Sequence, residues 1–318
     1  MKNSLIICTR NRPTALARCL DHVERLIAPD QGWELIIVNS ASTDGTGEML
    51  SEWSKRTTVT TTIVTLDRPG QGRARNAGAA SAAGDLLVYT DDDCYVEPDL
   101  LLQINRVFED PTIGYMGGRV LLFDPTDCPE TIKTSDSPEQ YPPYSYYDSA
   151  SLLGANMTVR SHVLLQVGGF DSLLGPGAPL PCADETDMFA RASASGWTGV
   201  YDPGPTVHHH HGRKQSEIAS YRSSYEYAGG AYLLKQVVYG SLKKLYLKHT
   251  YWAFRSLICV GRYRTILRYL LGAAKYLSLR TACDIVQLVQ MRGSLSERSA
   301  LQRGATERLN DAGSDRNR

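Results

Sequence analysis

The stretch "VYTDDDC" (88–94) drives an apolar run straight into Asp91, Asp92 and Asp93. Three adjacent carboxylates repel one another, and a cation relieves that repulsion. Magnesium and manganese take hard oxygen ligands and keep positions open for water and phosphate, so one or two carboxylates at a strand end suit either ion. The plain alternative is an acidic turn leading into a helix at Glu97-Pro98-Asp99. A second acidic group lies in "CADETDMFAR" (182–191), where Asp184 and Glu185 are neighbours. A carboxylate there can take the proton of an attacking hydroxyl. Otherwise the two form an acidic first turn facing a helix dipole. "TRNR" (9–12) and "DRPGQGRARN" (67–76) concentrate arginine, and "HHHH" (208–211) adds potential metal ligands.

Something must carry these groups to one place. Leu5 to Cys8 reads as a buried strand, and Pro13 opens a helix with Leu16, Leu20, Val23 and Ile27 on its apolar face. Further strands are expected at 34–39 ("ELIIVN"), 58–66 ("TVTTTIVTL") and 85–90 ("DLLVYT"), with a short helix over 48–55 and an Ala-rich one after the glycine loop at 70–72. Strands alternate with helices, which predicts an α/β fold with a mostly parallel sheet covered on both faces. Ligands of such sheets sit beyond the carboxyl ends of the strands, where the arginine and aspartate segments fall. A diphosphate with a divalent cation suits that set.

Other chemistries find less support. There is no G-x-x-x-x-G-K-[ST] loop, and "GQGRAR" has Arg75 where a dinucleotide fingerprint needs its third glycine. The seven cysteines are scattered without a CxxC pair, as expected of reduced thiols in a cytosolic protein. Net charge over 318 residues is formally zero, so bulk charge names no partner. No stretch has the length and apolarity of a membrane span, and Leu5–Cys8 is too short for a signal peptide.

Taken in order, "ICTRNRP", "IIVNSASTDGT", "GRARNAGAASAAGDLLVYTDDDC", "LLGANMTVRSHVLLQVGGFD" and "ADETDMFAR" resemble the inverting family 2 glycosyltransferases of GT-A fold, from about Leu5 to His211. The resemblance implies a GT-A domain over 1–215, with a nucleotide-binding half (1–110) and an acceptor half (111–215). It implies that the triple aspartate is the DxD motif. Asp93 is then the metal ligand, Asp91 lies near ribose and metal, and Asp92 fills the variable middle position. Thr9 and Arg12 match the nucleotide-contacting first strand end, and Asp44 matches the loop after strand two, where an Asp-Gly turn explains it as well. Asn39 stands where the family often has an aspartate reading the base; an amide offers both donor and acceptor. Arg75 is the implied diphosphate contact. The catalytic base falls on Glu185 or Asp184, because the order Asp-Glu reverses the family's. A histidine of 208–211 would complete the metal shell or touch the diphosphate. Alternation puts His208 and His210 on one strand side and His209 and His211 on the other, and the expectation falls on His208 or His210.

The activity implied is metal-dependent, inverting transfer of a sugar from a nucleoside diphosphate sugar to a hydroxyl of a saccharide or lipid-linked acceptor. The metal would be Mg²⁺ or Mn²⁺, and the donor nucleotide UDP, with dTDP or GDP as alternatives. Polysaccharide or glycolipid assembly is the family's setting. Rival readings are a nucleotidyltransferase on a similar sheet, or a decayed catalytic half serving a membrane- or nucleic-acid-binding module.

Beyond 215 the resemblance fades. Residues 227–283 contain ten basic residues and no acid. Helical patterning broken by Lys and Arg predicts a basic amphipathic extension over 216–293, lying on an anionic inner leaflet or packing on the core. That places the chain in the cytoplasm, peripheral on the cytoplasmic face of the plasma membrane, with no nucleic-acid partner. Residues 294–318 are polar and expected to be disordered.

Overall fold

A computed structural model describes residues 1–282. Two compact units divide at Ala273/Ala274; the described part of the second, 274–282, is helical. The expected polar tail at 294–318 and the last part of the expected extension lie outside the described residues.

The first unit is built on a sheet of nine strands in the order β3-β2-β1-β4-β8-β6-β9-β5, with β7 pairing β9. Its first four strands are β1 (Asn3–Thr9), β2 (Trp33–Ser40), β3 (Thr61–Leu66) and β4 (Leu86–Asp91). They run parallel. The other half is mixed. β8 (Asn156–Arg160) pairs antiparallel with β4 and with β6 (Ile113–Leu122), β6 runs parallel to β9 (Thr198–His209), and β5 (Cys94–Val96) and β7 (Glu139–Tyr141) pair antiparallel with β9. The parallel arrangement expected from the alternation of strands and helices therefore holds for the first half.

The central strands β1, β2 and β4 are buried along nearly their whole length because both faces are covered, whereas the edge strands β3 and β7 are partly exposed. Leu5 and Ile7 of β1 face a core with Leu16 and Leu20 of α1 (Pro13–Val23) and Ile104 of α4 (Leu100–Val107). Ile6 and Cys8 face the opposite core, with Ala74 of α3 (Gln71–Ser81) and Met188 and Phe189 of α6 (Asp184–Ala194). Between α1 and α3 comes α2 (Thr46–Ser54), and α5 (Ser161–Gln166) precedes α6. Small residues let α3 sit close to the sheet: a Cβ on Gly78 would come within 2.5 Å of Ile6 Cγ2. Ile27, expected on the apolar face of α1, falls past its end and is exposed.

The helices after the sheet domain are anchored to it. Tyr232 and Leu233 of α7 (Ile218–Val238) and Tyr246 of α8 (Lys243–Cys259) join the core beneath α6. Lys235 Nζ reaches Asp171 Oδ2 at 2.7 Å and Asp187 Oδ2 at 2.9 Å. Residues 263–273 are helical and cross α7 at backbone contact: a Cβ on Gly230 would lie 1.9 Å from the Tyr269 carbonyl oxygen, and one on Gly272 1.8 Å from that of Tyr227. No break in packing marks residue 215, the boundary expected from the fading resemblance; α7 and α8 belong to the same compact unit as the sheet.

One irregularity bears on the site. Gly118 of β6 pairs with Asp202 of β9, but the next residue, Arg119, pairs with Thr206. Pro203, Gly204 and Pro205 form a bulge with no opposite number.

Candidate active site

The parallel half sets the geometry through its register. Cys8 of β1 lies opposite Asp91 of β4, and Thr9 opposite Asn39 of β2, so these strand ends share one rim. β5 returns from the triple aspartate and pairs Cys94 with His209. That pairing brings the end of β9 to the acids. Two adjoining cavities of about 290 and 410 Å³ open here, and Gln71, Asp91, His209 and Arg213 line both.

Asp93 is buried. Its Oδ2 accepts from Arg12 Nη1 at 2.7 Å, and its Oδ1 lies 3.2 Å from His209 Nε2. The latter contact has an ion pair's distance without hydrogen-bond alignment, since among the described residues Asp93 Oδ1 has no hydrogen-bond partner; neither has His209 Nδ1. Burial alone would raise the Asp93 carboxyl, but His209 and Arg12 outweigh it and hold it at about 2. Burial alone would lower His209, and Asp93 instead holds it raised. Asp91, by contrast, is pushed up by burial and by the Asp93 charge against the pull of Arg75. Asp92 accepts from Thr9 Oγ1 at 2.7 Å and Arg12 Nη1 at 3.1 Å; burial and the Asp93 charge raise it to about 6.

Asp91, Asp93, Cys94 and His209 place one potential ligand atom each within 4.8 Å of one another. Oxygen and imidazole donors suit Mg²⁺ or Mn²⁺, whereas Cys94 keeps its proton, its thiol raised by burial. The buried, unsatisfied Asp93 Oδ1 and His209 Nδ1 fit a cation as well.

The expected histidines need correction. His208 Nε2 lies 2.7 Å from Glu97 Oε1, and His210 Nδ1 lies 3.0 Å from the Tyr95 hydroxyl. Neither faces Asp91 or Asp93. The alternation was as expected, but the inward side carries His209 and His211, whose ring centroids are 5.0 Å apart. Two nucleotide contacts are also not brought into the cleft. Asp44 accepts from Thr46 N at 3.0 Å and Thr46 Oγ1 at 2.5 Å, which makes it the turn opening α2. Asn39 is buried, its Oδ1 accepting from Ser42 N at 3.1 Å. Asn39 and Asp44 line neither cavity, whereas Thr9 and Arg12 line the smaller one.

Arg75 is buried, and its first partner is a protein carboxylate. Nη1 donates to Asp184 Oδ2 at 2.7 Å and Nη2 to the Gly154 carbonyl at 3.3 Å; Asp91 Oδ1 lies 3.7 Å away and Glu185 Oε2 3.9 Å. The diphosphate contact expected of Arg75 thus meets a guanidinium already engaged. Asp184 sits at the start of α6 under Gly175, where a Cβ would strike its carboxylate at 2.7 Å and φ is +96°. The Asp184 side chain is 1 % exposed and that of Glu185 22 %. Burial and the Asp184 charge push the Glu185 carboxyl up to about 8. The two candidate bases are therefore unequal: Asp184 is sealed in an ion pair, and Glu185 opens onto the larger cavity.

Sequence reasoning passed over Arg213. It follows the histidine run and reaches both cavities, with Nη1 3.3 Å from the Tyr225 hydroxyl and its guanidinium 4.7 Å above the Tyr221 ring. Its place just past a strand that ends in the site was the available signal.

Residues 86–289 match the family described as glycosyl transferase family group 2, and residues 4–161 match glycosyl transferase family 2. The chain belongs to the family 2 glycosyltransferases. Among curated relatives, the poly(ribitol-phosphate) beta-glucosyltransferase of Bacillus spizizenii is 29% identical over 104 residues, 32% of this chain and 16% of that protein. Glycosyltransferase AglE of Haloferax volcanii is 24% identical over 174 residues, 55% of this chain and 57% of the relative. The match thus spans less than two thirds of these relatives. Among solved structures, the mannosyltransferase PcManGT of Pyrobaculum calidifontis, in complex with GDP-Man and Mn²⁺, superposes with a TM-score of 0.62 at 20% identity, covering 86% of each chain. S. aureus TarS 1-349 in complex with UDP-GlcNAc gives 0.57 at 15%, over 78% of this chain and 70% of that one. At such identities the likeness establishes the fold, which is GT-A.

Proposed function

We propose that this chain transfers a sugar, with inversion, from a nucleoside diphosphate sugar to a hydroxyl of a saccharide or lipid-linked acceptor. The observation that carries the reading is one cleft with a cation-binding group at one side, Asp91, Asp93 and His209, and the accessible carboxylate of Glu185 at the other. Asp93, Asp91 and His209 would hold Mg²⁺ or Mn²⁺, and His209 would have to give up its proton to solvent. When bound, such an ion neutralises charge on a departing diphosphate. Arg213 supplies a further cation on the same wall. Glu185 takes the acceptor's proton as its oxygen attacks the anomeric carbon, while Arg75 locks Asp184 and so fixes the first turn of α6 beneath Glu185. Thr9, Arg12 and Asp92 form one hydrogen-bonded group that shapes the floor of the nucleotide side.

UDP is the favoured nucleotide, with dTDP and GDP as alternatives. Polysaccharide or glycolipid assembly is the proposed setting. Among the described residues no helix is long and apolar enough to cross a membrane. Leu247, Tyr251 and Ile258 share one exposed face of α8, near Lys243, Lys244 and Lys248, which supports docking on an anionic leaflet from the cytoplasmic side. Calorimetric titration with UDP, dTDP and GDP, each with and without Mn²⁺, tests the donor assignment. Metal-dependent binding of one nucleotide is expected; none binding with metal present would overturn it. The released product separates the rival: nucleoside diphosphate for a glycosyltransferase, pyrophosphate for a nucleotidyltransferase.

A further inference from the structure

Glu185 lines a second space besides the donor-side cleft. A cavity of about 510 Å³ lies between α6, α7, α8 and the helical residues 263–273, and Cys182, Glu185 and Tyr225 line both it and the 410 Å³ cavity. The carboxylate is thus reached from two directions. One leads to the cation-binding group. The other leads outward between helices that lie beyond the sheet.

The walls of this outer cavity are chemically mixed. Tyr146, Tyr225 and Tyr269 line it together with Asp148, Arg222 and Glu226. Aliphatic side chains contribute little, chiefly Leu233 and Leu257. Rings interleaved with fixed donors and acceptors suit a ligand with apolar C–H faces and many hydroxyls. One polar group is left over inside. The Thr186 hydroxyl, next in sequence to Glu185, is buried and has no hydrogen-bond partner among the described residues. A buried hydroxyl is left unsatisfied at a cost, and a ligand hydroxyl entering this cavity could supply the missing partner.

We infer that the outer cavity is the acceptor subsite and that its occupant is a pyranose of a saccharide acceptor, held against the tyrosines with one hydroxyl directed to Glu185. The subsite is then built jointly by residues 146–149 and 182–186 of the sheet domain and by the helices added after it. Their close crossing at Gly230 and Gly272 has a purpose in this reading: it fixes the width of the cavity. The exposed apolar face of α8 formed by Leu247, Tyr251 and Ile258 is separate from its Ala253, Ser256 and Leu257 side, which lines the cavity.

This inference rests on the glycosyltransferase reading with Glu185 as base, and the experiment separates the two. Methyl glucoside, mannoside, galactoside and N-acetylglucosaminide are titrated by saturation-transfer NMR into the full chain holding Mn²⁺ and whichever of UDP, dTDP or GDP binds. The comparison variants are Ser256→Trp, at the exposed rim, and Thr186→Val. At least one pyranoside is expected to bind, with about tenfold loss in each variant and nucleotide affinity unchanged. Thr186→Val should also match or exceed the wild-type melting temperature, which a structural hydroxyl would not allow. Pyranoside binding untouched by both substitutions would place the acceptor elsewhere. Nucleotide binding with no pyranoside binding would overturn the saccharide occupant in favour of an apolar one. Failure of every nucleotide to bind would instead remove the reading beneath it.

Discussion

Arg75 Nη1 and Asp184 Oδ2 lie 2.7 Å apart, and the pair joins α3 to α6 across the site. Each side chain is almost fully buried, so neither charge can turn to water for compensation. Removing one partner leaves the other buried alone. Arg75→Met is expected to lower unfolding free energy by about 3 kcal/mol, read from urea denaturation. A variant as stable as wild type would show that the pair contributes little net stability.

The proposed cation-binding group makes a prediction about neighbours in sequence. Asp93→Ala should abolish Mn²⁺-dependent nucleotide binding, and His209→Ala should weaken it at least tenfold. His208→Ala and His210→Ala should bind as wild type does, because they face Glu97 and Tyr95. Calorimetry on the four proteins decides. Full transfer activity in Asp93→Ala would remove the metal reading altogether.

Glu185 should control the pH profile. Its carboxyl is raised to about 8 by burial and by Asp184. A base acts only when deprotonated, so kcat/KM should rise with pH and level off above about 8. Glu185→Gln should lower the rate by roughly 10²–10⁴-fold while leaving nucleotide binding intact. A pH profile flat from 6 to 9 (a range fixed by that value) would assign proton removal to another group.

Gly78 tests how α3 meets the sheet. A Cβ there would sit 2.5 Å from Ile6 Cγ2 and 3.3 Å from Val38 Cγ2, both in core strands. Gly78→Val should therefore cost about 1–3 kcal/mol, seen as a lower melting temperature. An unchanged melting temperature would mean that the helix can shift outward freely.

Arg213 should matter to the donor alone. Arg213→Ala is expected to raise the nucleotide Kd about tenfold without altering stability by more than about 1 kcal/mol. Loss of folding would assign the side chain to packing against Tyr221 and Tyr225 instead.

What the sequence made legible follows a physical line. β1, β2 and β4 carry apolar runs ended by polar clusters, and such runs state their type; their ends are less legible, β1 running from Asn3 to Thr9 where Leu5 to Cys8 was expected. Asp91 to Asp93 and the Asp184-Glu185 pair are adjacent in sequence, so their own spacing announced them. The choice within that acidic pair was not legible, because it depends on Arg75, 109 residues from Asp184, taking one member. Asp44 stayed open because an Asx turn opening a helix and a nucleotide contact present the same residues. For the stretch beyond 215 the pattern left packing on the core and lying on a leaflet both open. Its anchoring depends on single residues such as Lys235 and on glycines whose contacts are remote.

The three-residue bulge at Pro203, Gly204 and Pro205 works as an address for the histidine run. An odd number of extra residues exchanges the two sides of everything downstream in β9. Lengthening or shortening the bulge by one residue would turn His209 outward and present His208 or His210 to the acids in its place. An insertion that touches no site residue could thus reassign or abolish the proposed ligand. Among relatives of this fold, gain and loss of a histidine here need not be matters of substitution; a single codon added or dropped at this bend would accomplish either.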